Sequence, residues 1–427
     1  MCSAIAAAAR SASSEAVMLS ELSLQCDTAM MPATSPPTRH AEAVTRADVA
    51  RDVVLSRRND LVALSHDIHA EPELAFTEHR SCAKAQVLVA ERGFAITTAP
   101  AGLDTAFRAD YGSGELTVAV CAEYDALPGI GHACGHNIIA ASAVGAALAL
   151  AEVADDVGLT VVLMGTPAEE SGGGKALLLK GGAFDDICAA VMVHPGPADI
   201  AAARSLALSE VNVHYRGHES HASVAPHLGV NAADAATVAQ VAIGLLRQHL
   251  APGQQVHGIV TEGGRAPNVI PGHAAMRYSI RATDKESLKS LEKRVFECFH
   301  AGALATGGEC RIEPSGPGYD ELRPDPWLAN VFRDEMIRRG RSPMPAELET
   351  TLPLGSTDMG NVTHAMPGIH PVVGVDTGGA SLHQPEFTAV AASPSGDDAV
   401  IDGAIMLART VIRLAETPSE RDRVISR

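Results

Sequence analysis

The chain has 427 residues, a formal charge of −18, and 46% apolar but only 3% aromatic residues. That length can bury a sizeable core, built mainly from Ala, Val, Leu and Ile, and it favours two domains over one. The acidic balance argues against nucleic acid as a partner and gives no support for docking on an anionic membrane. Eight scattered cysteines form no CxxC pair, which predicts a reduced, cytoplasmic protein. No run of eighteen strongly apolar residues flanked by charges is read, so no membrane span is expected.

Residues 1–45 are Ala- and Ser-rich, then Pro-rich around Pro32 and Pro36, and read as a disordered or mis-started tail. Val49, Val53, Leu61 and Leu64 predict an amphipathic helix over 47–68, and a second runs over 78–92 up to Gly93. Apolar strands are then expected at 116–122, 159–165 and 189–193, with an Ala-rich helix over 136–153. Strands apolar on both faces and alternating with helices indicate an α/β fold with a largely parallel sheet covered on both sides. After residue 207 the order becomes β-α-β-β-α-β: strands at 211–216, 256–262, 274–282 and 310–313, with helices at 231–250 and 284–305. A final helix is expected over 397–414. The simplest organisation is an α/β catalytic domain, 46–207 and 315–415, interrupted by a compact domain over 208–314.

The chemistry concentrates where the first strands end. Gly131–Asn137 reads Gly-His-Ala-Cys-Gly-His-Asn, and Cys134 and His136 are separated by one glycine, so a sulfur and an imidazole can converge on one ion. Asp125, Glu169-Glu170 and His194 each follow a strand, where open α/β sheets place their ligand sites. Cys134, His136, Glu170, His194 and His383 are the candidate ligands, and Asp125 a candidate for orienting one of them. Mixed sulfur, nitrogen and oxygen donors suit Zn²⁺, with Mn²⁺ or Co²⁺ behind it. Five ligands exceed the needs of one tetrahedral ion with an open position, so two divalent ions are more economical. In an extended segment Glu169 and Glu170 would point to opposite faces, leaving one to bind metal and the other to act as general base. Taken singly, each residue has a bland alternative: Cys134 a small core residue, His194 a polar cap, the Glu pair a solvated surface. Their joint placement after successive strands outweighs these.

Several stretches in order resemble the dinuclear-metal amidohydrolases, in the aminoacylase and auxin-conjugate hydrolase branch of the carboxypeptidase/aminoacylase metallopeptidases. They are His69–Leu74, Ala122–Gly129, His132–His136, Pro167–Glu170, Met192–Pro195, Ser220–Ser223, Pro267–Pro271 and Leu382–Phe387. Pro128–Gly131 and Ser356–Val362 look most like the dipeptidases and aminobenzoyl-glutamate hydrolases. The resemblance implies that the five ligands bind two metals, that Glu169 is the general base, and that the inserted domain is a ferredoxin-like lid and dimerisation domain. It further implies that lid residue His221 stabilises the oxyanion, often in the partner subunit's site, and that Asn268 and Arg281 hold the substrate's carboxylate. Asn137 departs from the Asp of many relatives, with an expected effect on metal choice or ligand orientation. His132 is placed behind the ligands.

The leading expectation is therefore a homodimeric metal-dependent amidohydrolase acting on N-acyl amino acids or dipeptides. Its rivals are a thiol hydrolase with Cys134 as nucleophile, and a non-catalytic binding protein on the same fold. The first leaves Glu169, Glu170, His194 and His383 unexplained; the second leaves a complete ligand set and base without use.

Overall fold

A computed structural model of the chain describes residues 44–349 and 355–427. The expected tail falls almost wholly outside the described residues. The helix expected over 47–68 is two, α1 (Arg46–Ser56) and α2 (Arg58–Ala70), broken at Arg57. The break lets Ala50 and Val54 of one, and Leu61, Leu64 and Ile68 of the other, each turn inward. A third helix, α3 (His79–Arg92), stops at Gly93, whose φ of 94° makes it a left-handed cap.

The catalytic sheet contains β1 (Ala95–Thr98), β2 (Phe107–Tyr111), β3 (Leu116–Ala122), β4 (Leu159–Gly165) and β5 (Ala189–Val191), with Gly368–Ile369 beside β5. Its order is β1-β2-β4-β3-β5 and then Gly368–Ile369. The four strands from β4 onward are parallel, whereas β1 and β2 add antiparallel at one edge. Those two edge strands had no apolar run to mark them, because they are only half-buried and carry Arg108 and Asp110.

Helix α4 (His136–Val157) lies between β3 and β4 in sequence and packs against the helix Pro394–Glu416. It is longer than the sequence indicates, and long and apolar enough to cross a membrane; its apolar window is 94% buried in the fold, which accounts for its composition. A short helix, α5 (Gly174–Lys180), follows β4. The strand expected over 189–193 ends at Val191, and His194 opens a separate short strand, β6 (His194–Gly196), paired in parallel with Val372–Gly374.

The inserted segment contains, in order, β7 (Ala207–Arg216), β8 (Ser220–His221), α6 (Ala232–Leu246), β9 (Gln255–Glu262), β10 (Val269–Ile270), β11 (His273–Ala282), α7 (Lys285–Thr306) and β12 (Glu309–Pro314). Four strands run antiparallel in the order β12-β7-β11-β9, and β8 with β10 forms a separate ribbon. Alternation along β7 and β11 turns Val211, Val213, Tyr215, Met276, Tyr278 and Ile280 into one core with α6 and α7. The Tyr215 hydroxyl is satisfied there by the Phe299 carbonyl at 2.9 Å. The opposite face of this sheet remains polar.

Candidate metal centre and substrate cleft

The loop before α4 can take its path because Gly135 has a φ of 80°, and a Cβ there would lie 2.5 Å from Pro195. Cys134 Sγ consequently sits 3.5 Å from His194 Nε2. His136, the first residue of α4, shares a 3.0 Å hydrogen bond between Nδ1 and Asp125 Oδ1. Asp125 Oδ2 accepts the Glu170 N–H at 2.9 Å, so one carboxylate fixes two neighbours. His194 Nδ1 is occupied by the Pro195 carbonyl at 2.7 Å. Both imidazoles therefore present Nε2 to the centre, the arrangement a metal-binding histidine needs. His383 adopts a φ of 65°, unusual for a non-glycine residue, and its N–H donates to the Ala133 carbonyl at 2.9 Å. That places its Nε2 3.3 Å from Glu170 Oε1.

Two ligand groups result: Cys134, His136 and His194, and Cys134, Glu170 and His383, each with ligand atoms within 4.8 Å of one another. Cys134 belongs to both. His136 Nε2 is fully buried without a hydrogen-bond partner, the condition of a donor waiting for a cation. The donor set and the orphaned nitrogen fit a pair of divalent ions. Glu123, His136 and Glu169 form a further group of the same compactness.

Glu169 and Glu170 lie in a turn rather than the extended segment expected from sequence. Ala168 has a φ of 59°, and its N–H is held by Glu78 Oε1 at 2.8 Å. The turn sends both carboxylates the same way, to 3.9 and 3.8 Å from His136 Nε2, instead of to opposite faces. Their electrostatics still divide them. Burial, with the Glu123 and Glu170 charges, pushes the Glu169 carboxyl well above the usual range. Glu170 is buried too, but the His383 and His136 imidazoles outweigh that and hold it low. The Tyr319 hydroxyl donates to the Glu169 carbonyl at 2.7 Å and pins the turn.

Behind these groups lies an ion cluster that sequence reasoning missed. Lys175 is fully buried, with Nζ 2.5 Å from Asp358 Oδ1 and 2.6 Å from Glu123 Oε1. Against the burial that raises it, the Lys175 ammonium holds Glu123 low. Its sequence traces were a lysine following three glycines, a carboxylate at the end of β3 and Asp358 within Ser356–Val362.

Burial and the Glu170 charge push the Cys134 thiol well up, the opposite of what a thiolate nucleophile requires. His132 joins neither ligand group; it is buried, stacks on His69 at 6.1 Å, and burial brings its imidazole down to about 3. Asn137 does not stand behind a ligand, contrary to expectation: its amide donates to Ser65 Oγ at 2.9 Å and to the Ala391 carbonyl at 2.8 Å, tying α4 to its neighbours.

A cleft of ≈ 820 Å³ opens over Cys134, Glu169, Glu170, His194 and His383 and extends to the polar face of the inserted sheet. Arg281 lines it and donates to Ser356 Oγ at 2.6 Å. His221 and Asn268 are not in its lining; they sit on the β8–β10 ribbon, where His221 pairs with Val269 and the Ala222 N–H bonds the Asn268 carbonyl. His221 is exposed, and its Nδ1 accepts from the Ser223 and Val224 N–H groups at 3.3 Å. Nε2 is thereby the protonated, free nitrogen.

Residues 207–306 match the peptidase dimerisation domain family. Over 84% of its length the chain is 38% identical to the Xaa-Arg dipeptidase of Mus musculus, covering 86% of that protein. It is 31% identical, over 63% of its length and 60% of the relative's, to a component of the p-aminobenzoyl-glutamate hydrolase of Escherichia coli (strain K12). The fold matches a Bacillus subtilis crystal structure described as a dinuclear metal binding peptidase from the M20 family, with a TM-score of 0.64 and 22% identity, over 85% of this chain and 99% of that one.

Proposed function

The chain belongs to the M20 family of metal-dependent amidohydrolases, and from that premise we propose how its residues divide the work. It hydrolyses the amide bond of dipeptides or N-acyl amino acids. The observation that carries the residue assignment is the sharing of Cys134 by two compact ligand groups, with the Glu169 carboxyl 3.9 Å from His136 Nε2. Cys134, His136 and His194 would hold one ion, and Cys134, Glu170 and His383 the other; the thiolate favours zinc. When bound, the pair supplies Lewis acidity at the scissile carbonyl and makes a water easier to deprotonate.

The protein's own groups do the rest. Glu169 takes the proton from the attacking water and delivers it to the nitrogen of the leaving amine, as a carboxylate beside the ligand groups can. Asp125 fixes the tautomer of His136 and the position of Glu170. Arg281 receives the free carboxylate of the leaving residue at the cleft wall. His221, outside its own cleft with an Nε2–H to offer, serves the oxyanion in the cleft of a partner protomer, which makes the homodimer the working unit. Asn268, on the same ribbon, accompanies it. The name of the murine relative supports a dipeptide with a basic leaving residue.

The test is metal analysis of the purified protein together with hydrolysis of a panel of dipeptides and N-acyl amino acids. About two equivalents of divalent metal and chelator-sensitive turnover are expected. Full turnover in metal-free protein would overturn the assignment.

A further inference from the structure

The polar face of the inserted sheet enters the cleft at a defined register. Arg281 pairs with Leu208 across β11 and β7, and Ser279 pairs with Glu210, so all four side chains share one face. Leu208, Glu210, Arg277 and Arg281 line the same cleft as the metal-ligand groups. Glu210 is half-buried, and its Oε1 accepts a 2.6 Å hydrogen bond from Ser279 Oγ. Arg281 acts on it through charge alone, with no ion pair between the two among the described residues. Its carboxylate is thus oriented by a neutral neighbour and has an oxygen left to offer.

We propose that Glu210 is the specificity-determining residue that receives the cationic side chain of the leaving amino acid while Arg281 receives its carboxylate. The proposal rests on the amidohydrolase reading and on Arg281 as the carboxylate holder. Diagonal neighbours on paired strands stand about 7–8 Å apart, comparable to the reach of an arginine or lysine side chain from its own carboxylate. Charge balance points the same way. In the free protein Arg281 and Glu210 are near enough for each to feel the other's charge. Once a substrate carboxylate neutralises Arg281, Glu210 is uncompensated inside the cleft, and a cation on the substrate restores balance. Arg277 offers the opposite preference, for an acidic side chain, but it is exposed and its Nε is engaged by Asn212 Oδ1 at 3.2 Å.

The experiment compares kcat/KM of the metal-loaded enzyme for Ala-Arg, Ala-Lys, Ala-Ala and Ala-Glu, in the wild type, Glu210→Gln and Glu210→Asp. Binding of free L-arginine and L-alanine is measured by calorimetry on the same proteins. The wild type is expected to favour the basic dipeptides over Ala-Ala by roughly 10–100-fold, the value of one charge-assisted contact. In Glu210→Gln that ratio should collapse towards one, mainly through KM, and Glu210→Asp should recover part of it. Arginine should bind more tightly than alanine only while residue 210 is acidic. A Glu210→Gln enzyme that keeps the basic preference overturns the proposal, as does a wild type that ignores charge or favours Ala-Glu; the last result would assign the role to Arg277. Absence of turnover on every dipeptide would instead strike at the amidohydrolase reading, while the arginine binding would still decide the role of Glu210.

Discussion

At the carboxyl ends of the catalytic strands, Asp125, His136 and Glu169 are buried; Asp125 holds both His136 and the Glu170 N–H, and Tyr319 pins the Glu169 backbone. Across the cleft, on the inserted sheet, Glu210 leans on Ser279, Arg277 on Asn212 and Arg281 on Ser356. The first region is shaped before any substrate arrives, by its turns, left-handed residues and buried ion cluster. The second keeps its charges half-buried or exposed and lightly anchored. Rigid, desolvated groups suit bond chemistry, where position and pKa decide rate. Lightly held charges on a sheet face suit selection among substrates, where the ligand completes the pairing.

The sharpest way to break this contrast is Glu169→Gln. It should lower kcat by roughly 10²–10⁴-fold while bound metal is unchanged, since the base goes and the ligands stay. Parallel metal analysis and single-turnover kinetics check it; near-normal kcat would remove Glu169 from the chemistry. On the lid side, His221→Ala should lower kcat by about 10²-fold, the effect of one lost oxyanion donor. Mixing His221→Ala with Glu169→Gln protein should restore part of the activity, because a hybrid dimer then has one cleft with both groups. No restoration would confine His221 to its own chain.

Smaller effects probe how firmly the buried side is held. Asp125→Asn should weaken metal affinity by roughly 10–100-fold, read by competition with a chromogenic chelator. Wild-type affinity in that variant would show that His136 needs no orienting carboxylate. The smallest effect concerns Glu78, which supports the Glu169 turn and whose carboxyl burial pushes up to about 7 from an ordinary 4.5. Between those values the folded protein keeps a proton that the unfolded chain releases, so this group's contribution to stability falls as pH rises from 4.5 to about 7. Urea melts at pH 5 and pH 8 should show a smaller difference for Glu78→Gln than for the wild type; an unchanged difference would mean that Glu78 does not titrate in this window.

Much of the catalytic side was legible in the chain. β3 and β4 are continuous apolar runs bounded by polar residues, and their limits at Leu116–Ala122 and Leu159–Gly165 follow from that pattern alone. The order of the inserted β-α-β-β-α-β unit was visible too, through helices with one apolar face and alternating strands, but not the β8–β10 ribbon or the first four residues of β7. The edge strands β1 and β2 were not, since half-buried strands with charged residues carry no distinctive run. Nor was the break at Arg57, which depends on the two faces that α1 and α2 must bury.

Residue order places a thiol and imidazole across Gly135, a Glu pair after β4 and a histidine after β5. How these groups meet depends on long-range packing. A strained φ at His383 and another at Ala168 bring distant segments to a single thiol, and both are stabilised by contacts far away in the chain. The buried Lys175 cluster and the place of Glu210 in the cleft belong to the same class. Burial and register come from packing one sheet against another, and no local pattern of residue types encodes them.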